Sequence, residues 1–181
     1  MKNLVTIIIG GTGQFGITTA KHLLKKKYKV IITTRSLNKH KNLIKSNNDI
    51  KFCKLNIYNK KKIKKIINKY NPNLIFYFAG QSSPKKSFTQ KKETFKSNVK
   101  GCKNILEIIQ KEKKDCKFLN AASCEMYGKI RGKIKLSSPK KPINPYGLAK
   151  VESFNITKMF RLKNNLKSYN AIIFNTESIY R

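Results

Sequence analysis

Gly10-Gly11-Thr12-Gly13-Gln14-Phe15-Gly16 stands between a short apolar run, Val5-Thr6-Ile7-Ile8-Ile9, and a stretch with helical periodicity. The string satisfies G-x-x-G-x-x-G from Gly10 and G-x-G-x-x-G from Gly11. Glycines let a backbone turn sharply and approach a pyrophosphate, which then rests on the N-terminal amides and dipole of the following helix. A glycine-rich string alone also fits a plain structural turn. Its place, after a strand and at the head of a helix, is the context a dinucleotide site requires. Gly10, Gly13, Gln14, Phe15 and Gly16 are therefore candidate cofactor-binding residues.

Outward from this turn, strand and helix patterns alternate. Apolar or β-branched runs predict strands over 4–9, 29–34, 50–55, 74–79, 117–122 and 171–174. Between them, helical spacing predicts helices over 14–27, 38–46, 59–70, 90–113 and 146–163. The second-strand helix at 38–46 is short. The 59–70 stretch places Ile63, Ile66, Ile67 and Tyr70 on one face, with lysines opposite. Such alternation implies a parallel sheet covered on both faces, because parallel neighbours need crossover helices. The fold class is α/β, a Rossmann-like doubly wound parallel sheet. At 181 residues the chain has room for one such domain, spanning 1–181.

Charge is the most conspicuous feature of the composition, at +33 from 41 Lys and Arg against 8 Asp and Glu. Yet 37 of the basic residues are Lys and 4 are Arg, alongside 23 Ile, 19 Asn and 6 Ala. Lys, Asn and Ile have A/T-rich codons, so compositional drift explains the excess better than a selected nucleic-acid surface. Such a surface favours the bidentate fork of Arg and clusters interleaved with aromatics. No nucleic-acid partner is expected. The apolar runs are too short to span a bilayer, and the N-terminal run stops at the glycines with no long hydrophobic core of a secretion signal. No membrane partner is expected either. Cys53, Cys102, Cys116 and Cys124 show no C-x-x-C pair, and His22 and His40 are isolated, so no metal site is expected and a reducing cytoplasm fits.

Two further positions carry chemistry. An NAD enzyme usually places Asp or Glu after the second strand, to accept hydrogen bonds from ribose hydroxyls. This chain has Thr33-Thr34-Arg35-Ser36, with no acid before Asp49. Arg35 can pair with a 2′-phosphate, which favours NADP as cofactor. Farther on, Tyr146-Gly147-Leu148-Ala149-Lys150 places a phenol and an ammonium four residues apart on one helix face. A phenol with a pKa near ~10 is a poor base at neutral pH, and a nearby ammonium stabilises its phenolate. Tyr-x-x-x-Lys is common by chance in a lysine-rich chain. Here it follows a strand ending in Ala121-Ala122-Ser123, whose hydroxyl can help Tyr146 hold a substrate oxygen.

These motifs in this order resemble the extended short-chain dehydrogenase/reductase family, and within it the N-terminal part of the GDP-mannose 4,6-dehydratases. Gly11-Thr12-Gly13-Gln14-Phe15-Gly16 is similar to the family's G-x-T-G-Q-D-G, with Phe15 for Asp. Ala79-Gly80-Gln81-Ser82-Ser83, followed by Ser87-Phe88, resembles A-A-Q-S-H and its S-F. Ser123-Cys124-Glu125-Met126-Tyr127-Gly128 resembles T-S-E-L-Y-G, and Phe174-Asn175-Thr176-Glu177-Ser178 resembles F-N-H-E-S. Related epimerases commonly carry a small neutral residue where Glu125 stands.

The resemblance implies an NADP-dependent lyase of nucleotide-sugar metabolism, on the route to GDP-fucose, that converts GDP-mannose to GDP-4-keto-6-deoxymannose. It implies Ser123, Glu125, Tyr146 and Lys150 as catalytic residues. Arg35, Asn56, Ile57, Ala79 and Gln81, together with Tyr146 and Lys150, join the glycine loop at the cofactor. Ser82, Ser123 and Asn175 contact the sugar nucleotide. Asn56 stands where an Asp often contacts adenine, Thr176 replaces His, and Ile179-Tyr180 replaces Pro-Arg, with Arg181 following. Family members run to roughly twice one nucleotide-binding domain. The chain is accordingly expected to lack most of a C-terminal substrate domain, and turnover by this polypeptide alone is doubtful. Another nucleotide-sugar epimerase or reductase, or a non-catalytic dinucleotide-binding module, are the alternatives. The resemblance is compatible with a homo-oligomer.

Overall fold

In the computed structural model, residues 4–37, 49–112, 115–130 and 132–178 are described. Six strands form one sheet: β1 (Val5–Ile9), β2 (Lys29–Thr34), β3 (Ile50–Lys54), β4 (Leu74–Tyr77), β5 (Lys117–Ser123) and β6 (Ser168–Ile173). Their order is β3-β2-β1-β4-β5-β6, and every pairing is parallel. The order reverses between β1 and β4, which opens a crevice at the carboxyl ends of those strands, where open α/β sheets bind ligands.

Alternation along β1 shows why both faces are covered. Ile7 and Ile9 enter one core with Ile63, Ile67, Ile105, Leu106 and Phe160. Ile8 enters another with Ile17, Ala20, Leu23, Val30 and Ile32. The first core lies under α2 (Lys60–Tyr70), α5 (Gly101–Glu112) and α6 (Pro145–Asn164), the second under α1 (Gln14–Lys25). Each fully buried Ile contributes about 2 kcal/mol by leaving water. The lysines of α2 point outward, and Lys60 and Lys64 reach Glu107 and Glu112 on α5. Pairs this exposed add little stability. Among the described residues, no helix is long and apolar enough to cross a membrane.

Three local departures from the sequence reading have physical causes. The expected helix over 90–113 is α4 (Lys91–Phe95) and α5 joined by a π turn, Lys96–Lys100. Its wide turn leaves the Ser97 carbonyl to accept the buried Tyr77 hydroxyl at 2.6 Å. It also buries Ser97 and Asn98, two polar residues that an apolar pattern does not flag. The last strand starts three residues earlier than expected, because its polar opening is satisfied internally. Ser168 donates to the Thr157 carbonyl, and Asn170 meets the Phe154 carbonyl and the Asn120 amide. A short helix, α3 (Pro84–Thr89), was not anticipated, although Ser83 caps it and Pro84 opens it. The helix expected at 38–46 lies outside the described residues.

Candidate functional site

The glycine loop is built for close approach. Gly10 has φ +78°, and a Cβ there would lie 2.6 Å from the Ala79 nitrogen. A Cβ on Gly16 would lie 2.4 Å from the Gly11 Cα, so the head of α1 can pack on the loop only as glycine. Gly13 is the N-cap of α1, with no side-chain hydrogen bond and no acid in the first turn. The first-turn amides are therefore left for an anion. Gln14 ties this loop to the far end of the chain, its Nε2 donating to the Thr176 carbonyl at 2.9 Å. Phe15 packs beside Phe78, ring centroids 6.1 Å apart.

Two connected cavities open over the crevice. The larger, about 780 Å³, is lined by Gly10, Gly13, Gly16, Arg35, Asn56 and Ile57. The smaller, about 340 Å³, is lined by Ser123, Glu125, Tyr146, Lys150 and Asn175. Gln14, Phe15, Ala79, Gln81 and Ser82 line both. Every candidate residue from the sequence thus faces one of two adjoining spaces, and the four catalytic candidates share the smaller. The departures at 179–181 lie outside the described residues.

Each catalytic candidate is held by a specific element. Ser123 ends β5, and its hydroxyl accepts from the Glu125 amide at 3.2 Å, starting a 3-10 turn over Cys124–Tyr127. Tyr146 and Lys150 are both buried on α6, with the Lys150 amine 5.5 Å from the Tyr146 ring centre. Lys150 Nζ donates to the Ala121 carbonyl at 2.8 Å. Burial pushes the Lys150 amine down to about 8. Tyr146 differs from expectation: burial raises its phenol above the ordinary value, the Ser123 hydroxyl offsets part of this, and Glu125 and Cys124 add to it. Desolvation is the largest of these effects, and residue spacing alone does not reveal it.

Two residues the sequence reading passed over hold the groups of the cleft in place. Asn144 Nδ2 donates to Glu125 Oε2 at 2.8 Å, while its Oδ1 caps α6 by accepting from the Gly147 amide at 2.7 Å. An Asn directly before Pro145 is a helix-start signal, though it says nothing of Glu125. Asn98 donates to the Gln81 carbonyl at 2.9 Å and to the Thr94 carbonyl at 3.0 Å, from the floor of the smaller cavity. The Gln81 side chain folds back on its own loop, bonding both backbone groups of Ser83.

Comparison with known proteins identifies the family and the fold. A family model described as GDP-mannose 4,6 dehydratase matches residues 7–181. The GDP-mannose 4,6 dehydratase of Drosophila melanogaster is 31% identical over 190 residues, covering 98% of this chain and 48% of that protein. The human protein of that name is also 31% identical, covering 96% of this chain and 50% of its own length. A solved dTDP-glucose 4,6-dehydratase from Streptomyces venezuelae, with NAD bound, superposes with a TM-score of 0.87. It is 20% identical, and the match covers 98% of this chain and 58% of that one. A UDP-Glc/GlcNAc 4-epimerase from Campylobacter jejuni gives a TM-score of 0.85 at 22% identity, over 94% of this chain and 53% of that one. These two show the fold. The chain spans about half the length of the curated relatives it matches. With a family model matched along almost its whole length, the chain belongs to the GDP-mannose 4,6-dehydratase family.

Proposed function

We propose that this chain supplies the cofactor-binding and catalytic residues of an NADP-dependent GDP-mannose 4,6-dehydratase, which forms GDP-4-keto-6-deoxymannose. The observation that carries this reading is Glu125, a half-buried carboxylate oriented by Asn144 in the same cleft as Ser123, Tyr146 and Lys150. A 4-epimerase removes no water and has no use for such a base.

The residues fit a dinucleotide phosphate. The uncapped amides of α1 and the close-approach glycines suit a pyrophosphate. Arg35 lines the larger cavity directly after β2, where an NAD-binding chain would carry an acid. Bound NADP supplies the hydride acceptor for C4 of the sugar and the donor for C6.

The chain's own residues handle the protons. Tyr146 Oη takes the proton of the 4-hydroxyl, and Ser123 Oγ hydrogen-bonds the same oxygen. Lys150, charged at neutral pH, stabilises the phenolate against the burial that raises the Tyr146 phenol. The 4-ketone acidifies the C5 hydrogen, which Glu125 removes and passes to the departing 6-hydroxyl, releasing water. Loss of water leaves a C5–C6 double bond; as the hydride lost from C4 would return to C6, C5 takes up one proton, balanced by the one that Tyr146 took from the 4-hydroxyl, so no cofactor would be consumed. Ser82 and Asn175 line the cleft as sugar-nucleotide contacts. Four free thiols suit a cytoplasmic setting.

Incubation with NADP and GDP-mannose, followed by mass spectrometry, tests this. A nucleotide sugar lighter by one water is expected; an epimer of unchanged mass would assign the site to a different reaction.

A further inference from the structure

The larger cavity holds a carboxylate that the proposed reaction does not use. Glu93, on α4, lines it together with Asn56, Ile57 and Tyr58, which follow β3, and Arg35. None of these five lines the cleft of Tyr146, so they mark the end of the cavity remote from the reacting centre. Resting on the NADP reading above, we infer that Glu93, held by Tyr58, is the hydrogen-bond acceptor that recognises the exocyclic amine of the cofactor's adenine.

The hydrogen bonds at this end assign the roles. Tyr58 Oη donates to Glu93 Oε1 at 3.2 Å. Burial, with Glu93 beside it, pushes the Tyr58 phenol up to about 12, so it keeps its proton and acts as donor. The Lys96 ammonium sits 4.5 Å from the Tyr58 ring centre and pins the ring. Glu93 is thereby fixed with a carboxylate oxygen left over, and it is the one carboxylate on this cavity among the described residues.

Asn56 has a complementary role. Its Oδ1 accepts from the Tyr58 amide at 3.0 Å, and a backbone N–H can only donate. That orients the side-chain amide with its NH2 outward, so Asn56 offers donors where an Asp would offer an acceptor. Adenine presents one amine donor flanked by ring nitrogens that accept. An acceptor from Glu93 and a donor from Asn56 match that edge. Hypoxanthine puts a carbonyl in place of the amine, and Glu93 would then face another acceptor.

Fluorescence titration of the 181-residue chain with NADPH and with its hypoxanthine analogue, deamino-NADPH, reads this directly. A hydrogen bond to a charged group implies about ten- to hundredfold tighter binding of NADPH by the wild type. Glu93→Gln, whose amide can turn to donate or accept, is expected to bring the two within about threefold. Asn56→Asp adds a second acceptor and is expected to widen the wild-type preference, which gives a readout independent of Glu93→Gln folding. Equal wild-type affinities, a preference that survives Glu93→Gln, or one unmoved by Asn56→Asp would overturn the inference and leave the NADP reading standing. Binding of neither nucleotide would remove both.

Discussion

Asn144 joins the carboxylate of Glu125 to the start of the helix that carries Tyr146 and Lys150, through bonds of 2.8 and 2.7 Å from its two amide atoms. One side chain therefore sets both the candidate C5 base and the N-cap of α6. Its two roles separate by substitution. Asn144→Ala is expected to cost about 1 kcal/mol of stability as a lost cap, measured by urea unfolding. Asn144→Asp keeps an oxygen for the Gly147 amide but sets a second carboxylate against Glu125. Repulsion between the two carboxylates should turn Glu125 away from its present position, so loss of water should slow by about tenfold or more while the helix cap and stability are kept. Dehydration at the wild-type rate by Asn144→Asp would show that Asn144 does not position Glu125.

Gly16→Ala places a methyl 2.4 Å from the Gly11 Cα, with backbone rather than a flexible side chain in its way. The expected cost is about 1–3 kcal/mol of stability, together with loss of NADPH binding as α1 is pushed off the loop. Thermal unfolding and nucleotide titration check both. A stable variant that binds normally would contradict the close packing of loop and helix.

Arg35→Ala removes the cation that follows β2. NADPH affinity should fall by about tenfold or more, the worth of a charged hydrogen bond, while NADH affinity changes little. Equal losses for both cofactors would assign Arg35 a structural role and leave NADP without support.

Lys150 gives a pH signature. Its folded pKa of about 8 lies below the ordinary value of 10.5 because of burial. Below pH 8 the amine is charged in both folded and unfolded chains, and the burial penalty is felt in full. Between 8 and 10.5 only the unfolded chain holds the proton, so the penalty lifts as pH rises. Relative to Lys150→Met, the wild type should gain roughly 3 kcal/mol across that window. The raised tyrosines are common to both proteins and cancel, while Cys102, whose thiol interacts with the Lys150 charge, is taken out of the comparison by a Cys102→Ala background in both. Parallel stability curves would contradict a desolvated amine.

The regular parts of this molecule were legible because their signals are local. Ile7, Ile8 and Ile9 read as a strand buried on both faces, and Ile63, Ile66 and Ile67 as one face of a helix. The glycine loop and Tyr146-x-x-x-Lys150 could be placed because each sits at an element boundary. What escaped depends on tertiary contact. The π turn puts Ser97 and Asn98 inside because Tyr77, far away in sequence, needs an acceptor. Asn144 reaches Glu125 only once β5 and α6 are side by side. The Tyr146 phenol is raised because burial, invisible in spacing, is the largest influence on it. The +33 charge proved less informative than the placement of the few acids, Glu93 and Glu125 among them.

The central claim is that Glu125 is the base for loss of water, and Glu125→Gln tests it most directly. With NADP and GDP-mannose, absorbance reports the reduced cofactor and mass spectrometry reports the sugar. Oxidation at C4 by way of Tyr146 does not need Glu125, so the variant should accumulate reduced cofactor while the nucleotide sugar keeps its 6-hydroxyl. Formation of the 6-deoxy product by Glu125→Gln at the wild-type rate would contradict the account.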